Sequence, residues 1–465
     1  MKAGRLVFLL ITLVILAYGV IYPNTAVVLS SFVREGSWTL ANYREILGQG
    51  VVIEAIVSSL GLSIATVVLC ALVGVPLAFL FERFTFPGRR LFAAVASLPL
   101  VLPPLVGTVA FIFLAGETGI LAHSIQNLLG LENPPWRLNG WPALLLFHTY
   151  TMYPFFYVFT GAGLRRIDAS LAEAARSLGG SRVFVFTRVL APQLTPSLIA
   201  AALLTFMTSM ASFSAPLLFG GNVRVLTLEI YTARQRGDTT MAVTETVILA
   251  VISLAALIVF QRYEGTRKFA AATMKGAPRR RVTIASGKAR VLAATAAVIF
   301  AIVLVLPVAT LFLVSFAQEG SWTTQTLPAA YTLANYHRIF SDPFASEVFF
   351  NSFSMSAIAA VAALLWSFCV VTLLVKTGRG KPAFLGQSGR RLLSLLILVP
   401  WALPGTVVAV SVAEAYGQPS LLLGSFVLVG TFWILPVVYF LRFMPLVVRA
   451  LQASMEQVDP ALPEA

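Results

Sequence analysis

Apolar residues occur in long runs along the chain, separated by short polar segments. Ten such runs are present, and all exceed the roughly 20 residues that a helix needs to cross a bilayer about 30 Å thick. They lie at 6–32, 54–81, 91–115, 142–164, 195–219, 240–261, 290–316, 348–375, 391–415 and 420–442. The pattern predicts an all-α polytopic membrane protein with about ten transmembrane helices.

Basic residues collect in alternate loops between these runs. The intervening loops mix signs or are acidic, as at Glu319, Asp342 and Glu347. Because loops rich in lysine and arginine stay in the cytoplasm, we expect the N-terminus and every basic loop to be cytoplasmic. The basic positions are Lys2, Arg5; Arg83, Arg89, Arg90; Arg165, Arg166, Arg176, Arg182, Arg188; Arg262, Arg267, Lys268, Lys275, Arg279, Arg280, Arg281, Lys288, Arg290; and Lys376, Arg379, Lys381, Arg390, Arg391.

Four sequence anchors occur twice in the same order, which indicates an internal repeat. The pairs are 23–38 with 307–322, 39–43 with 332–336, Pro99 and Pro103 with Pro400 and Pro404, and 152–174 with 443–465. Six apolar runs separate the two copies, and an even number returns the chain to the same side of the membrane. The repeats are therefore predicted to be parallel, related by an axis along the membrane normal.

The repeat predicts two halves of unequal length. The first, at 1–262, has six spans; a basic cytoplasmic linker follows at 263–289; the second, at 290–465, has four spans. If the halves are equivalent, the second lacks one loop and two spans. We therefore expect twelve spans in the native protein and a truncated chain here. The alternative is a natural ten-span protein.

Composition narrows the class of protein further. The chain is 58% hydrophobic and 11% charged, whereas a soluble domain carries about 25% charged residues. The net charge of +14 does not indicate nucleic-acid binding, because the basic residues lie in alternate loops rather than in one patch. Cys70 and Cys369 both lie in apolar runs, and the three histidines have no metal-ligand spacing. We expect no metal site and no catalytic site.

One basic loop, at 165–192, carries a motif with defined spacing. Glu173, Ala174 and Ala175 are followed by Gly179 and, after a further interval, by Pro192. Alanines give a helix with little side-chain bulk, and glycine permits the turn that ends it. The opening of the motif returns at the end of the chain as Glu464 and Ala465.

This loop resembles the EAA loop of ABC-type import permeases, by which a membrane subunit grips its ATPase. Val189 and Ala191 stand where the family pattern has Ile and Leu, which are mild apolar replacements. The resemblance implies a MetI-like fold and ATPase-coupling roles for the residues of the motif. A helical hairpin with no coupling role is the alternative interpretation.

The resemblance also implies partners and a location. We expect two cytoplasmic ABC ATPase subunits, a periplasmic or lipid-anchored substrate-binding protein, surrounding membrane lipid, and a multi-pass position in the bacterial inner membrane. The chain contains no GxxxxGK[ST] sequence, so ATP should be bound by the partner subunit and no cofactor by this chain.

Several prolines and ionisable residues inside or near the spans are candidates for a role in transport. Pro99, Pro103, Pro400 and Pro404 predict kinks, which either line the substrate pathway or only serve packing. Arg442 is expected to extend to the cytoplasmic interface. Three acidic residues are expected near span ends, in water or headgroups: Glu54, Glu229 and Glu245.

The substrate is predicted from resemblance alone. The fused layout, the TLxNY-like repeat and the segment 219–227 are similar to ferric-iron importers, with thiamine and aminoalkylphosphonate importers as alternatives. An ion-coupled secondary transporter is the alternative of another class. It should carry ionisable residues inside its spans, and the predicted spans hold few.

Overall fold

Most of the residues that the structure describes lie in helices. The computed structural model describes residues 2–266, 282–284, 286–322, 325–374, 385–419, 424 and 427–456. Within these residues the α-helices are α1 (Lys2–Leu16), α2 (Tyr22–Ser31), α3 (Ala41–Gly48), α4 (Gly50–Arg83), α5 (Arg89–Val95), α6 (Pro104–Ala115), α7 (Ile120–Leu129), α8 (Gly140–Arg166), α9 (Ala169–Ser177), α10 (Arg182–Phe184), α11 (Ala191–Met210), α12 (Ser214–Phe219), α13 (Leu226–Gln235), α14 (Thr239–Thr266), α15 (Gly287–Ser315), α16 (Ala334–Ser341), α17 (Pro343–Leu374), α18 (Gln387–Ala402), α19 (Gly405–Tyr416) and α20 (Ile434–Glu456).

Short irregular helices and strands complete the described elements. π-Helical segments at Ala17–Ile21 and Val185–Leu190 join α1 to α2 and α10 to α11, and a 3-10 turn lies at Leu98–Leu100. The strands are β1 (Val33–Arg34), antiparallel to β2 (Ser37–Trp38), and β3 (Phe84–Thr85), parallel to β4 (Val282–Thr283).

The long helices follow the apolar runs of the sequence. α4 and α17 contain 34 and 32 residues, more than a bilayer requires. α8 ends with Arg165 and Arg166 in its last turn, where cations interact favourably with the helix dipole. Ser286 caps the start of α15, because its side-chain oxygen accepts a hydrogen bond from the Ala289 N–H at 3.4 Å.

Eight helical segments of the described residues are long and apolar enough to cross a membrane, or nine if a bent pair counts as one span. They are Leu6–Ser31, Gly50–Arg83, Pro104–Leu129, Val185–Met210, Thr239–Phe260, Gly287–Ser315, Pro343–Leu374 and Ile434–Met455, with Gln387–Ala402 and Gly405–Tyr416 as the bent pair. The all-α polytopic fold is confirmed. The predicted number of about ten is higher because α8, with 27 residues, is not among these segments.

Two predicted spans have different bounds in the structure. The run at 195–219 is not one span, since the helix ends at Met210 and α12 is a separate short helix. The run at 420–442 is displaced, because the helix begins at Ile434 and continues to Glu456. Apolar runs mark these bounds poorly, since the helix continues past two charged residues, Arg442 and Arg449.

Two other predicted spans, at 91–115 and 391–415, are broken at matching positions of the repeat. Pro103 precedes α6 and Pro404 precedes α19, each in an extended conformation with ψ of 138° and 147°. α18 and α19 meet at 103°. Proline has no N–H for the helix ladder, which explains why both breaks coincide with a proline.

The helices form two compact units, each of which combines segments distant in sequence. One comprises Met1–Val52, Glu229–Leu254 and Ile339–Ala465; the other comprises Ile53–Leu228 and Ala255–Arg338. The first span of each predicted half therefore lies in the unit formed largely by the other half. The predicted bounds 1–262, 263–289 and 290–465 stay a prediction about the repeat, and linker residues 267–281 lie outside the described residues.

Tyrosines attach the exchanged first spans within each unit. In one unit, the Tyr416 hydroxyl donates a hydrogen bond to Tyr18 O at 2.5 Å, next to the α1–α2 junction. In the other, the Tyr150 hydroxyl donates to Leu304 O on α15 at 2.8 Å. The ring of Tyr153 also packs edge-on against Phe300, at a centroid distance of 5.7 Å. Each first span is thus held by α8 or by α19 of the other half.

The repeated segments around 39–43 and 332–336 form the same hydrogen-bonded clamp at the end of each first span. In the first copy, the Asn42 amide donates to Ser31 O at 2.9 Å, and Tyr43 OH lies 2.7 Å from Ser31 Oγ. In the second, the Asn335 amide donates to Ser315 O at 2.9 Å, and Tyr336 OH lies 2.6 Å from Ser315 Oγ. The duplicated residues therefore fix a helix end.

We expect Asn42→Ala to lower the free energy of unfolding by about 1–3 kcal/mol, because it leaves buried Ser31 O without that donor. Asn335→Ala should lower it in the same direction. The measurement is thermal unfolding of the purified chain in detergent. Asn127→Ala is the control, since Asn127 makes an exposed side-chain contact with Thr326 and should change stability by no more than about 0.5 kcal/mol. Equal effects in all three variants would contradict a clamp.

Candidate ATPase-coupling site

The motif predicted at 165–192 folds as a helical hairpin between α8 and α11. Asp168 is the N-cap of α9, and its Oδ1 accepts a hydrogen bond from the Ser170 N–H at 2.9 Å. This cap satisfies one N–H group at the start of a helix of 9 residues. α9 contains Glu173, Ala174 and Ala175, so three of the predicted coupling residues share one short helix.

Glycines end α9 in a Schellman motif. The Gly180 N–H donates to Ala175 O and the Gly179 N–H to Arg176 O, both at 2.9 Å. Gly179 has a φ of +83°, a left-handed conformation that costs a residue with a Cβ about 1–2 kcal/mol. The glycine predicted to permit the turn therefore stands where backbone geometry requires one.

Pro192 lies two residues into α11, but the helix does not start there. Helical structure begins at Arg182 and continues through a π-helical segment, Val185–Leu190, into α11. The helical structure that leads into the next span therefore starts before Pro192. The π-helical segment ends immediately before α11, in the turn where a proline has no N–H to donate.

A small apolar cluster packs the hairpin against α4, α8 and α11. Its buried members are Ile167, Ala172, Val185, Leu190 and Leu194. Phe79 of α4 and Leu164 of α8 pack against them. Because close-packed side chains transmit displacement, the cluster connects α9 to two long helices and to α11. The hairpin is thus a packed element rather than a free loop.

The outer surface of the hairpin is exposed and partly apolar. Glu173, Ala174 and Arg176 are all exposed. Three apolar side chains beyond α9 are also exposed, by 89% at Leu178, 71% at Val183 and 51% at Phe184. Sequence analysis did not single out these three, although clustered exposed apolar residues commonly mark protein interfaces.

The second motif copy cannot be compared with the first. Glu464 and Ala465 lie outside the described residues, as does the whole segment 457–465. The described part of α20 ends at Glu456. A coupling role for the second copy therefore stays a prediction.

The four predicted kink prolines occupy the two broken spans. Pro99 lies in the 3-10 turn and Pro103 precedes α6, while Pro400 lies two residues before the end of α18 and Pro404 precedes α19. Pro99, Pro400 and Pro404 are buried, whereas Pro103 is exposed. Their contribution to a substrate pathway stays a prediction.

Two polar groups are buried more deeply than the sequence indicated. Glu245, expected in water or headgroups, is 1% exposed, and its Oε2 has no hydrogen-bond partner among the described residues. His148 is fully buried; its Nε2 lies 2.9 Å from Ser212 Oγ, and its Nδ1 lies 3.2 Å from Ser209 Oγ. Hydroxyl groups from α11 and the loop after it therefore satisfy His148.

Comparison with known proteins places the hairpin within a matched family domain. The family described as "Binding-protein-dependent transport system inner membrane component" matches residues 71–264, which include the entire hairpin. Among curated relatives, "Probable ABC transporter permease protein y4fN" of Sinorhizobium fredii is 29% identical, over 99% of this chain and 80% of its own length.

Two further relatives differ in how much of the chain they match. "Ferric transport system permease protein FbpB" of Actinobacillus pleuropneumoniae is 25% identical over 98% of this chain, which spans only 64% of that protein's length. "Molybdenum transport system permease protein ModB" of Mycobacterium bovis is 31% identical over 44% of this chain and 76% of its own length. The chain therefore belongs to the family of inner-membrane components of binding-protein-dependent transport systems and is an ABC transporter permease.

Proposed function

We propose that the chain forms the transmembrane pathway of an ATP-driven importer and couples it to separate ATPase subunits through the hairpin at 165–192. The observation that carries the proposal is the hairpin itself: its helix α9 is capped at both ends, an apolar cluster packs it against α4, α8 and α11, and its outer surface is exposed. Clustered apolar side chains that are exposed to water commonly mark a protein interface. The exposure of Leu178, Val183 and Phe184 therefore supports docking of a partner protein on the hairpin.

Coupling by this hairpin requires a docking surface and a mechanical connection. Ala174 gives α9 a face with little bulk, Leu178 supplies an apolar contact, and Glu173 supplies a carboxylate for a cationic group on the partner. Displacement of α9 would pass through buried Ala172 to Leu194 at the start of α11. This chain would then have no catalytic site, and ATP would be bound by two ABC ATPase subunits.

The charge distribution supports a cytoplasmic position for the hairpin. The loop at 165–192 carries Arg165, Arg166 and Arg176, and basic loops are retained in the cytoplasm. The N-terminus would then also be cytoplasmic, because the four apolar runs between it and the hairpin are an even number. A substrate-binding protein, soluble in the periplasm or lipid-anchored, would deliver substrate from the opposite side.

Ferric iron is the substrate we propose, because the similarity to the ferric permease extends over 98% of the chain and therefore over both repeats. The molybdenum permease matches only 44% of the chain. That match supports a shared permease domain, and it is weaker support for molybdate as the substrate. Thiamine and aminoalkylphosphonate remain candidates by layout alone. In this type of system the binding protein selects the substrate, so specificity does not require residues of the permease.

Uptake of radioactive ⁵⁵Fe(III) and ⁹⁹Mo-molybdate by cells that express the native permease with its ATPase and binding protein tests this proposal. We expect ATP-dependent ⁵⁵Fe uptake that is lost when the permease is deleted. Uptake of molybdate instead would overturn the ferric assignment but leave the importer intact. Uptake that needs an ion gradient and no ATPase would support the secondary transporter.

A further inference from the structure

Arg442 lies in the middle of a membrane-spanning helix rather than at its end. It is eight residues after the first residue of α20 and 14 before the last, or about 12 Å and about 21 Å along a helix that rises 1.5 Å per residue. The side chain is half-buried. The expectation that Arg442 reaches the cytoplasmic interface is therefore wrong, and its charge needs a local explanation.

The guanidinium of Arg442 binds the break between α18 and α19. Its Nη1 donates hydrogen bonds to Pro400 O at 2.5 Å and to Leu403 O, and it lies 3.4 Å from Trp401 O. All of these acceptors are backbone carbonyls at the end of α18 or in the connection that follows. One cationic side chain thus serves several acceptors at the 103° bend.

Those carbonyls are available because of the second proline. In a continuous helix Pro400 O would accept from the N–H of residue 404, but Pro404 has none. Leu403 is extended, with ψ of 144°, so its carbonyl leaves the helix direction. An unsatisfied carbonyl costs several kcal/mol in the bilayer. The guanidinium, with donors in a planar fork, replaces the missing helix donors.

The first half has no charged side chain at the position that corresponds to Arg442. The ungapped alignment of 152–174 with 443–465 places Thr151 at the position of Arg442. Thr151 Oγ1 donates to Phe147 O of its own helix at 2.9 Å. Near the Pro99 break, the Tyr153 hydroxyl donates to Ala96 O at 2.6 Å. The two halves therefore stabilise their broken spans with different chemistry.

We propose that Arg442 is a positioning residue for transport, which holds the bent α18–α19 span in shape by donating hydrogen bonds to its freed carbonyls. The transport consequence rests on the proposed function, since it requires the bent span to belong to the pathway. The local consequence does not, because the bend itself depends on Arg442 whatever the chain transports.

Two measurements on the complete chain separate these consequences. The chain has two cysteines, Cys70 and Cys369, and replacing both with alanine allows spin labels at Leu395→Cys and Ala409→Cys, two exposed positions flanking the bend. Pulsed electron paramagnetic resonance then measures the distance across the bend in nanodiscs. The second measurement is the rate of ATP hydrolysis by the complex of the chain with its ATPase.

Arg442→Met should broaden the label distance distribution, shift it to longer distances and lower ATP turnover by about tenfold or more. Arg442→Gln, which keeps amide N–H donors without a charge, should retain most of the bend. Thr151→Val, the matched change in the first half, should alter neither measurement.

Two results would overturn the proposal. One is an unchanged distance distribution in Arg442→Met. The other applies if Arg442→Met does not fold, namely a normal bend with lost ATP turnover in Arg442→Gln. A changed bend with normal turnover would instead confirm the local role and place the bent span outside the pathway.

Discussion

Gly179→Val is expected to abolish most ATP-driven transport while the chain stays folded in the membrane. Valine would have to adopt the left-handed backbone at φ +83°, at a cost of about 1–2 kcal/mol, or the turn would rearrange. No heavy atom of a neighbouring residue lies within 4 Å of a Cβ at this position, so rearrangement redirects α9 without disturbing the core. ATP hydrolysis stimulated by the binding protein should fall at least about tenfold.

The matched control for this variant is Gly130→Val. Gly130 ends α7 with a φ of +63° and also has open space around its Cβ position. Both variants should cost similar stability in thermal unfolding, because the backbone strain is the same. Only Gly179→Val should uncouple ATP hydrolysis. If Gly130→Val uncouples equally, the effect comes from strain in general and not from the hairpin.

Gly74→Val is expected to destabilise the fold strongly. A Cβ at Gly74 would lie 2.5 Å from Tyr153 O and 2.8 Å from Tyr157 N, both backbone atoms of α8. Helix backbones packed this closely have no room for a side chain, so α4 and α8 would have to separate. We expect a loss of about 3 kcal/mol or more, seen as aggregation or as a much lower unfolding temperature in detergent.

Gly61→Ala is the control for the packing argument, since it also lies in α4. Its Cβ would meet only the ring of Trp141, at 3.3 Å. Because a side chain shifts more easily than a backbone, this variant should lose no more than about 1 kcal/mol. Similar losses at both positions would mean that the close backbone approach at Gly74 does not explain the loss of stability.

Local features of this chain were predictable where one residue type determines the geometry. Gly179 and the alanines of α9 lie where the spacing placed them, because helix ends and small helix faces depend on neighbours in sequence. The repeated Asn-Tyr pairs indicated a duplicated element, and both copies form the same clamp. Pro103 and Pro404 predicted interruptions, and the helix breaks there are observed.

Features that depend on distant partners were not predictable from periodicity. The packing of each first span with helices of the other half depends on contacts such as Tyr150 with Leu304 O, which no local pattern encodes. Arg442 was placed at an interface because an apolar run ends there, whereas its acceptors lie about 40 residues earlier in sequence. Nothing in the local sequence distinguishes Leu178 and Phe184 from buried apolar residues, because their exposure depends on how the hairpin packs.

Cross-linking at the hairpin tests the central claim most directly. The complete permease, with Cys70 and Cys369 replaced by alanine and with Ala174→Cys at an exposed position of α9, would be expressed together with its ATPase. Its single thiol would be labelled with a maleimide that carries a photoreactive benzophenone, which on irradiation bonds to a nearby C–H group and so needs no second thiol. We predict a cross-linked product containing the ATPase, formed in larger amount with nucleotide present. If Ala174→Cys gives no more of that product than Leu128→Cys, an exposed position outside the hairpin, the claim that this hairpin couples the permease to an ATPase is contradicted.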